Sequence, residues 1–130
     1  MITVVAAVIE QQGAFLLTRR QAGVHLAGLW EFPGGKIDSS ETHADALRRE
    51  MREELDTDVD VGALVFSTTH AYEDRTVALF FYECRLLGSP RPMLEQEMRW
   101  VPRAELLTLG FPAADEELIR RLTGSDAPSP

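Results

Sequence analysis

With 130 residues, 45% of them hydrophobic and 26% charged, the chain has the size and composition of one soluble globular domain with a real core. A formal charge of −8 argues against binding a nucleic-acid polymer, whose phosphates require a basic surface. A phosphorylated small molecule stays open, provided a cation screens the charge. Cys84 stands alone and cannot close an internal disulfide, in keeping with a cytoplasmic setting. No apolar run is long enough to span a bilayer, and no signal-peptide pattern leads the chain, so no membrane partner is expected.

Residues 2–10, rich in Val, Ala and Ile, predict a strand, followed by a Gln11-Gln12-Gly13 hairpin turn and a second strand over 14–20. Residues 21–29 hold two glycines and no clean period and predict a loop. Residues 30–35 (Trp-Glu-Phe-Pro-Gly-Gly) predict a turn, in which Pro33 restricts Phe32 to extended geometry and the paired glycines permit close backbone approach. A helix is predicted over 42–55, capped by Ser40 or Thr42. Strands over 59–69 and 76–87 follow, joined by the polar turn Tyr72-Glu73-Asp74-Arg75. A Pro/Gly loop at 88–92 leads to a short strand at 97–101 and a helical turn at 102–107 with proline at its start. Phe111-Pro112 opens a final helix over 113–122 with Leu118, Ile119 and Leu122 as its apolar edge. No repeat or linker marks a second domain, so residues 1–123 are expected to form one domain and 124–130 a disordered tail. The expected class is α/β (α+β): a mixed β-sheet between helices, an α/β/α sandwich.

The helix over 42–55 carries an electrostatic oddity. With Glu50 at zero on a helical wheel, Glu53 falls near about −60° and Glu54 near about +40°. The three carboxylates share one face, where they repel one another. They also lie late in the helix, where the dipole disfavours negative charge. Ala44, Leu47, Met51 and Leu55 cluster near about +100°, so the acidic face borders the core-facing stripe. Hard divalent cations take oxygen ligands of this kind. A local rule broken twice without a local benefit is the mark of a functional site.

The spacing around this face is specific. Gly35 is followed after five residues by Glu41, after seven more by Arg49-Glu50, and after Met51-Arg52 by Glu53-Glu54. Six fixed residues at fixed spacing arise by chance roughly once in 10⁷ starting points at average residue usage. The stretch resembles the Nudix box. Thr18-Arg19-Arg20, His25, residues 30–36 and the Phe111-Pro112-Ala113-Ala114-Asp115-Glu116 stretch extend the likeness to MutT-type nucleoside triphosphate pyrophosphohydrolases over nearly all the chain up to the tail. The box departs from the family pattern at its end, where Asp56 stands in place of glycine and Thr57 in place of an aliphatic residue. Asp tolerates left-handed backbone better than most non-glycine residues, so a helix end with some strain is expected.

The resemblance implies a mixed sheet between helices, and a hydrolase that uses Mg2+, with Mn2+ as a substitute, to attack a bridging phosphate with water and release a nucleoside monophosphate and pyrophosphate. It implies metal ligation by the Gly34 carbonyl, Glu50, Glu53 and Glu54, with Arg49 orienting a box glutamate and Glu41 at the outer edge of the box. A further glutamate from a later segment serves as ligand or base in the family; Glu97 is the first choice here and Glu95 the second. Catalytic roles accordingly fall on Glu53, Glu50, Arg49 and Glu97. Lys36, Arg20 and His25 are expected to hold phosphate charge. The partner implied is a small nucleoside triphosphate, with the protein a monomer or weak homodimer.

The base pocket is expected to include Phe32 as an apolar wall, Val4, Ala6 and Tyr72 as further lining, and Asp115 as the base reader. The bacterial 8-oxo-dGTP enzymes of the family typically carry asparagine at the Asp115 position, and an amide donates and accepts at once. Ionised, Asp115 only accepts, which suits an N–H-rich edge such as the cytosine amine; protonated by burial, it imitates the amide. Bacterial CTP pyrophosphohydrolases of similar length also carry aspartate there. Oxidised guanine nucleotides and cytosine nucleotides, CTP, dCTP and 5-methyl-dCTP among them, are therefore both carried forward. Two other classes stand beside them: a catalytically silent nucleotide-binding module and an enzyme for sugar nucleotides or dinucleotides. Asp115 also has a plain reading, a negative charge complementing a helix N-terminus. His43 and His70 read as structural or solvent-facing, Trp30 and Trp100 as packing residues, and Cys84 as core.

Overall fold

The computed structural model of the chain describes residues 1–21 and 27–124. His25 and residues 125–130 of the expected tail lie outside them. Strand β1 (Ile2–Val8) is the central element. It pairs in parallel with β7 (Thr76–Leu86) and antiparallel with β5 (Gly34–Lys36), and β7 pairs antiparallel with the long edge strand β6 (Val59–Ala71). The sheet order is β5-β1-β7-β6, a mixed sheet.

Side chains of a strand alternate between faces, and β1 shows the consequence. Val5 and Ala7, with Ile9 just past the strand, enter one core cluster with Ala46, Leu47, Met51 and Leu55 of helix α1 (His43–Leu55). Ala6 and Val8 enter the other, with Leu118 and Ile119 of helix α2 (Glu116–Thr123). The two helices therefore lie on opposite faces, the expected sandwich.

A second sheet is a structural addition to that expectation. Strand β3 (Ala14–Arg19) pairs antiparallel with β2 (Glu10–Gln11) at its start, with β4 (Trp30–Glu31) at its end and with β8 (Met98–Pro102) along its length. Residues 30–35, expected as a turn, supply β4 and the first two residues of β5. Pro33 separates the two, and its carbonyl accepts the Ala7 N–H at 2.8 Å, so the break between strands is itself tied to β1. The final helix also starts later than expected. Residues Ala113–Asp115 form a 3-10 turn, and α-helical geometry begins at Glu116. The expected helical turn after residue 102 is a 3-10 helix over Arg103–Thr108. Among the described residues no helix is long and apolar enough to cross a membrane.

Both ends of α1 are held by side-chain chemistry legible in the sequence. Thr42 Oγ1 accepts the Asp45 N–H at 3.1 Å, the usual use of a threonine N-cap. At the other end Asp56 adopts left-handed geometry, φ 50° and ψ 42°, and its N–H donates to the Arg52 carbonyl at 3.1 Å. Its carboxylate pairs with Arg91 at 2.6 Å across an exposed surface. Asp56→Gly relieves the left-handed strain and loses only an exposed ion pair of small worth. Urea unfolding should show the variant more stable by about 0.5 kcal/mol; a loss of stability would mean that the Arg91 pair outweighs the strain.

Candidate active site

The site is built where β5 meets α1. Register with β1 sets Gly34 opposite Ala6 and Gly35 opposite Val5. A β-carbon on Gly34 would lie 2.0 Å from the Val5 carbonyl oxygen and 2.7 Å from Ala6 Cα, so backbone packing against β1 dictates this glycine. A β-carbon on Gly35 would lie 2.4 Å from Glu50 Cδ, with both carboxylate oxygens within 2.6 Å. Gly35 is therefore glycine because the Glu50 carboxylate occupies the space above its Cα.

Arg49 organises the charges around that carboxylate. Its Nε donates to Glu41 Oε2 at 2.7 Å and its Nη2 to Glu41 Oε1 at 2.9 Å, a forked pair. Its Nη1 donates to Glu50 Oε1 at 2.9 Å and to Glu53 Oε2 at 3.1 Å, and Nη2 reaches the Lys36 carbonyl at 3.1 Å. One guanidinium thus spans the loop, β5 and two helix carboxylates. The Arg49 hydrogen bonds, followed by the Asp38 N–H, hold the Glu41 carboxyl down at about 2. Glu41 opposes Arg49 as a fixed anion.

Glu54 has no such relief. Its Oε2 is enclosed without a hydrogen-bond partner. Burial, then the proximity of Glu50, Glu31 and Glu53, pushes its carboxyl well above the usual range. An enclosed carboxylate oxygen without a partner is costly, and a divalent cation would satisfy it while screening the neighbouring carboxylates. Among the described residues, no three acidic, His or Cys side chains close into a ready-made cage. An open set of carboxylates fits Mg2+, which keeps waters and takes oxygens from its substrate.

A cleft of about 270 Å³ opens beside this face. Val4, Ala6, Val77, Leu79 and Phe81 from β1 and β7 line it, together with Phe32. Arg20, Glu31, Lys36, Tyr72, Arg75 and Asp115 supply its polar groups, and Gly34 and Gly35 also line it, joining it to the acidic face. Phe32 is a core aromatic as much as a cleft wall: it stacks on Phe111 at 6.0 Å and meets Phe15 and Phe81 edge-on. Tyr72 is held in place as its hydroxyl accepts the Ala114 N–H at 3.2 Å.

Asp115 is 4% exposed. It stands at the N-cap position of α2 but makes no side-chain cap bond, so any help it gives the helix N-terminus is through charge alone. Burial, reinforced by the charge of Glu31 and opposed by Arg20, pushes its carboxyl up to about 7. Glu31 pairs with Arg20 at 2.9 and 3.2 Å, and burial raises its carboxyl too. It sits electrostatically between the two ends of the site, raising both Asp115 and Glu54. No local pattern in the sequence announces Glu31; its place comes from the pairing of Thr18 with Glu31 across β3 and β4.

The structure brings Gly34, Arg49, Glu50, Glu53 and Glu54 together on one side and Arg20, Phe32, Lys36, Tyr72 and Asp115 around the cleft. Glu97 lines neither the cleft nor the recess that contains Glu54; its carboxylate pairs with Arg19 at 3.0 Å. With Glu95 it lines an open depression that shares Arg19, Arg20, Gln21 and Gln96 with the recess containing Glu54.

A NUDIX domain model matches residues 4–121. The chain belongs to the Nudix family. It is 36% identical to the CTP pyrophosphohydrolase of Escherichia coli (strain K12), covering 100% of this chain and 97% of that protein. It is also 36% identical to an 8-oxo-dGTP diphosphatase of Haemophilus influenzae, covering 94% and 91%. The solution structure of the E. coli ORF135 protein, 36% identical, superposes with a TM-score of 0.84 over 98% of this chain and 91% of that one. In this Nudix chain Gly35, Glu41, Arg49 and Glu50 of the box each have a packing or hydrogen-bonding reason.

Two outcomes are expected. Gly35→Ala should displace the Glu50 carboxylate and weaken Mn2+ binding by roughly 10-fold or more with little change in thermal midpoint, whereas Gly34→Ala should lower the midpoint because the clash is with β1 backbone. Equal effects of the two on stability would contradict this division. For Asp115, a folded value near 7 against an ordinary 3.8 means that folding favours the neutral carboxyl. That contribution is fully present below about pH 4 and is lost as pH rises toward 7. Asp115→Asn removes the loss, so in urea unfolding the variant should gain on the native protein between pH 5 and pH 8. A constant gap would show that Asp115 ionises normally in the fold.

Proposed function

We propose that this Nudix chain is a divalent-metal-dependent nucleoside triphosphate pyrophosphohydrolase of the MutT type, with Mg2+ as its resident cation and Mn2+ able to replace it. The observation that carries the reading is the enclosed, unpartnered Glu54 carboxylate oxygen near Glu50 and Glu53, in a recess that shares Arg20 and Glu31 with the cleft containing the buried Asp115. A bound cation would neutralise triphosphate charge and acidify a water. Glu50, Glu53, Glu54 and the Gly34 carbonyl would hold it. Arg49 keeps Glu50 and Glu53 aligned, and Lys36 and Arg20 lie at the cleft to meet phosphate oxygens; the part assigned to His25 falls outside the described residues. In the reaction the water oxygen bonds to the β-phosphorus, the bond from that phosphorus to the bridging α-oxygen breaks, and the nucleoside monophosphate departs with that oxygen. Glu97 would serve as ligand or base only on leaving its pair with Arg19.

Asp115 and its neighbour Glu31 read the base. A carboxyl near 7 offers both a donor-and-acceptor edge and an acceptor-only edge at neutral pH. This supports the two base classes together, oxidised guanine as in 8-oxo-dGTP and cytosine as in CTP, dCTP or 5-methyl-dCTP. Phe32, Val4 and Ala6 provide apolar walls for either ring. In this reading the partners are small molecules, the protein works in the cytoplasm, and a monomer or weak homodimer suffices, because the residues named all come from one chain.

The test is a panel of 8-oxo-dGTP, dGTP, dCTP, CTP and 5-methyl-dCTP with Mg2+, compared by kcat/KM. One of the modified or cytosine nucleotides should lead, and inorganic phosphate should appear only after pyrophosphatase is added. Glu53→Gln should lower turnover by about 10²-fold or more without loss of folding. Absence of turnover across the panel, or a fully active Glu53→Gln, would sink the proposal.

A further inference from the structure

The triplet Glu95-Gln96-Glu97 contains two exposed carboxylates and one buried amide. Gln96 is 8% exposed, and both ends of its amide are used. Its Oε1 accepts the Leu94 N–H at 2.8 Å, and its Nε2 donates to the main-chain carbonyl of Glu54 at 3.1 Å. The Glu54 carbonyl also accepts the Met93 N–H at 2.9 Å, and the next carbonyl, of Leu55, accepts the Arg91 N–H at 2.8 Å. The last carbonyls of a helix have no intrahelical partner. In this chain, residues 91–96 supply partners for two of them. The segment is fastened on its other side as well, where the Arg19 N–H donates to the Glu97 carbonyl at 3.0 Å and the Gln21 side chain donates to the Leu94 carbonyl. Between these ties Glu95 holds φ 59°, left-handed backbone that a non-glycine residue keeps only when its surroundings impose it.

The turn fastened in this way is the one that carries Glu53 and Glu54. The enclosed Oε2 of Glu54 has no hydrogen-bond partner and the carboxyl's side-chain contact is with Glu50, itself an acid, so the backbone beneath Glu54 sets how the two carboxyls meet. Gln96 grips that backbone at the Glu54 carbonyl and lines the recess that contains Glu54 and Glu31. We propose that Gln96 is a positioning residue for the cation site, holding the final turn of α1 so that the Glu54 carboxylate stays directed toward Glu50. The role rests on the reading that these carboxylates take a divalent cation. It does not require Glu97 to leave Arg19.

The test uses the full chain with Gln96→Met and Gln96→Glu. The first removes both hydrogen bonds at similar size. The second keeps the acceptor for Leu94 and adds negative charge near the site, but gives the Glu54 carbonyl no donor. Mn2+ binding to the nucleotide-free protein is followed by loss of the electron-paramagnetic signal of free Mn2+. Thermal midpoints are taken without cation, and hydrolysis is measured against Mg2+ concentration. Both variants should bind Mn2+ roughly 10-fold more weakly and need correspondingly more Mg2+ for half-maximal rate, with much of kcat recovered at saturation. A Gln96→Glu that binds Mn2+ as the native protein does, or more tightly, would overturn the proposal, because loop order or charge would then suffice. Lower thermal midpoints with unchanged Mn2+ affinity would also overturn it, leaving Gln96 a purely structural residue. A native protein that neither binds Mn2+ nor hydrolyses any nucleotide would instead remove the enzymatic reading on which the role rests. Should Gln96→Met fail to fold, Gln96→Glu decides.

Discussion

The contact between the Glu50 carboxylate and the bare Cα of Gly35 is the constraint on which the rest of the site depends. It brings a helix carboxylate against a strand backbone at a distance no side chain would allow. Arg49 makes that approach tolerable, since the same guanidinium binds Glu41, Glu50, Glu53 and the Lys36 carbonyl. Repulsion between the helix carboxylates is partly offset there by one cation, and Glu41, held ionised by that cation, keeps it in place. What Arg49 leaves uncompensated is Glu54, and that remainder is what a divalent ion would satisfy.

The two ends of the site are not electrically independent. Glu31, ion-paired to Arg20, raises both the Asp115 carboxyl in the cleft and the Glu54 carboxyl on the acidic face. In a chain of formal charge −8, a cleft lined by two acids and three bases offers phosphate binding only through local pairing, not through a general positive field. Such local pairing is what the proposed binding of a single triphosphate beside a cation would use.

Much of this was legible in the sequence, and the reasons can be named. The box spacing is a property of one helix and the turn before it, so periodicity places Glu50, Glu53 and Glu54 on one face. Thr42 and Asp56 act as local helix ends and do what their side chains allow. The division of β1 between two cores follows from strand alternation. By contrast, β4 and β5 are each too short to show a pattern and look like a turn in the sequence; they exist through pairing with distant strands. Glu31 and Gln96 escaped notice for the same reason. Each is an ordinary residue locally and acquires its part from a partner 11 or 42 positions away.

The sequence by itself therefore determined the family, the acidic helix face with its arginine, and the candidate base reader Asp115, because these reside in short-range spacing and in the chemistry of single residues. Only the tertiary structure decided that Glu97 faces Arg19 while Gln96 faces the end of α1, that Asp115 is buried beside Glu31 and makes no side-chain cap bond, and that Gly35 is glycine to admit Glu50. Those facts depend on which strand or loop lies against which helix. Burial and cross-chain hydrogen bonding set them, and neither is encoded by neighbours in sequence.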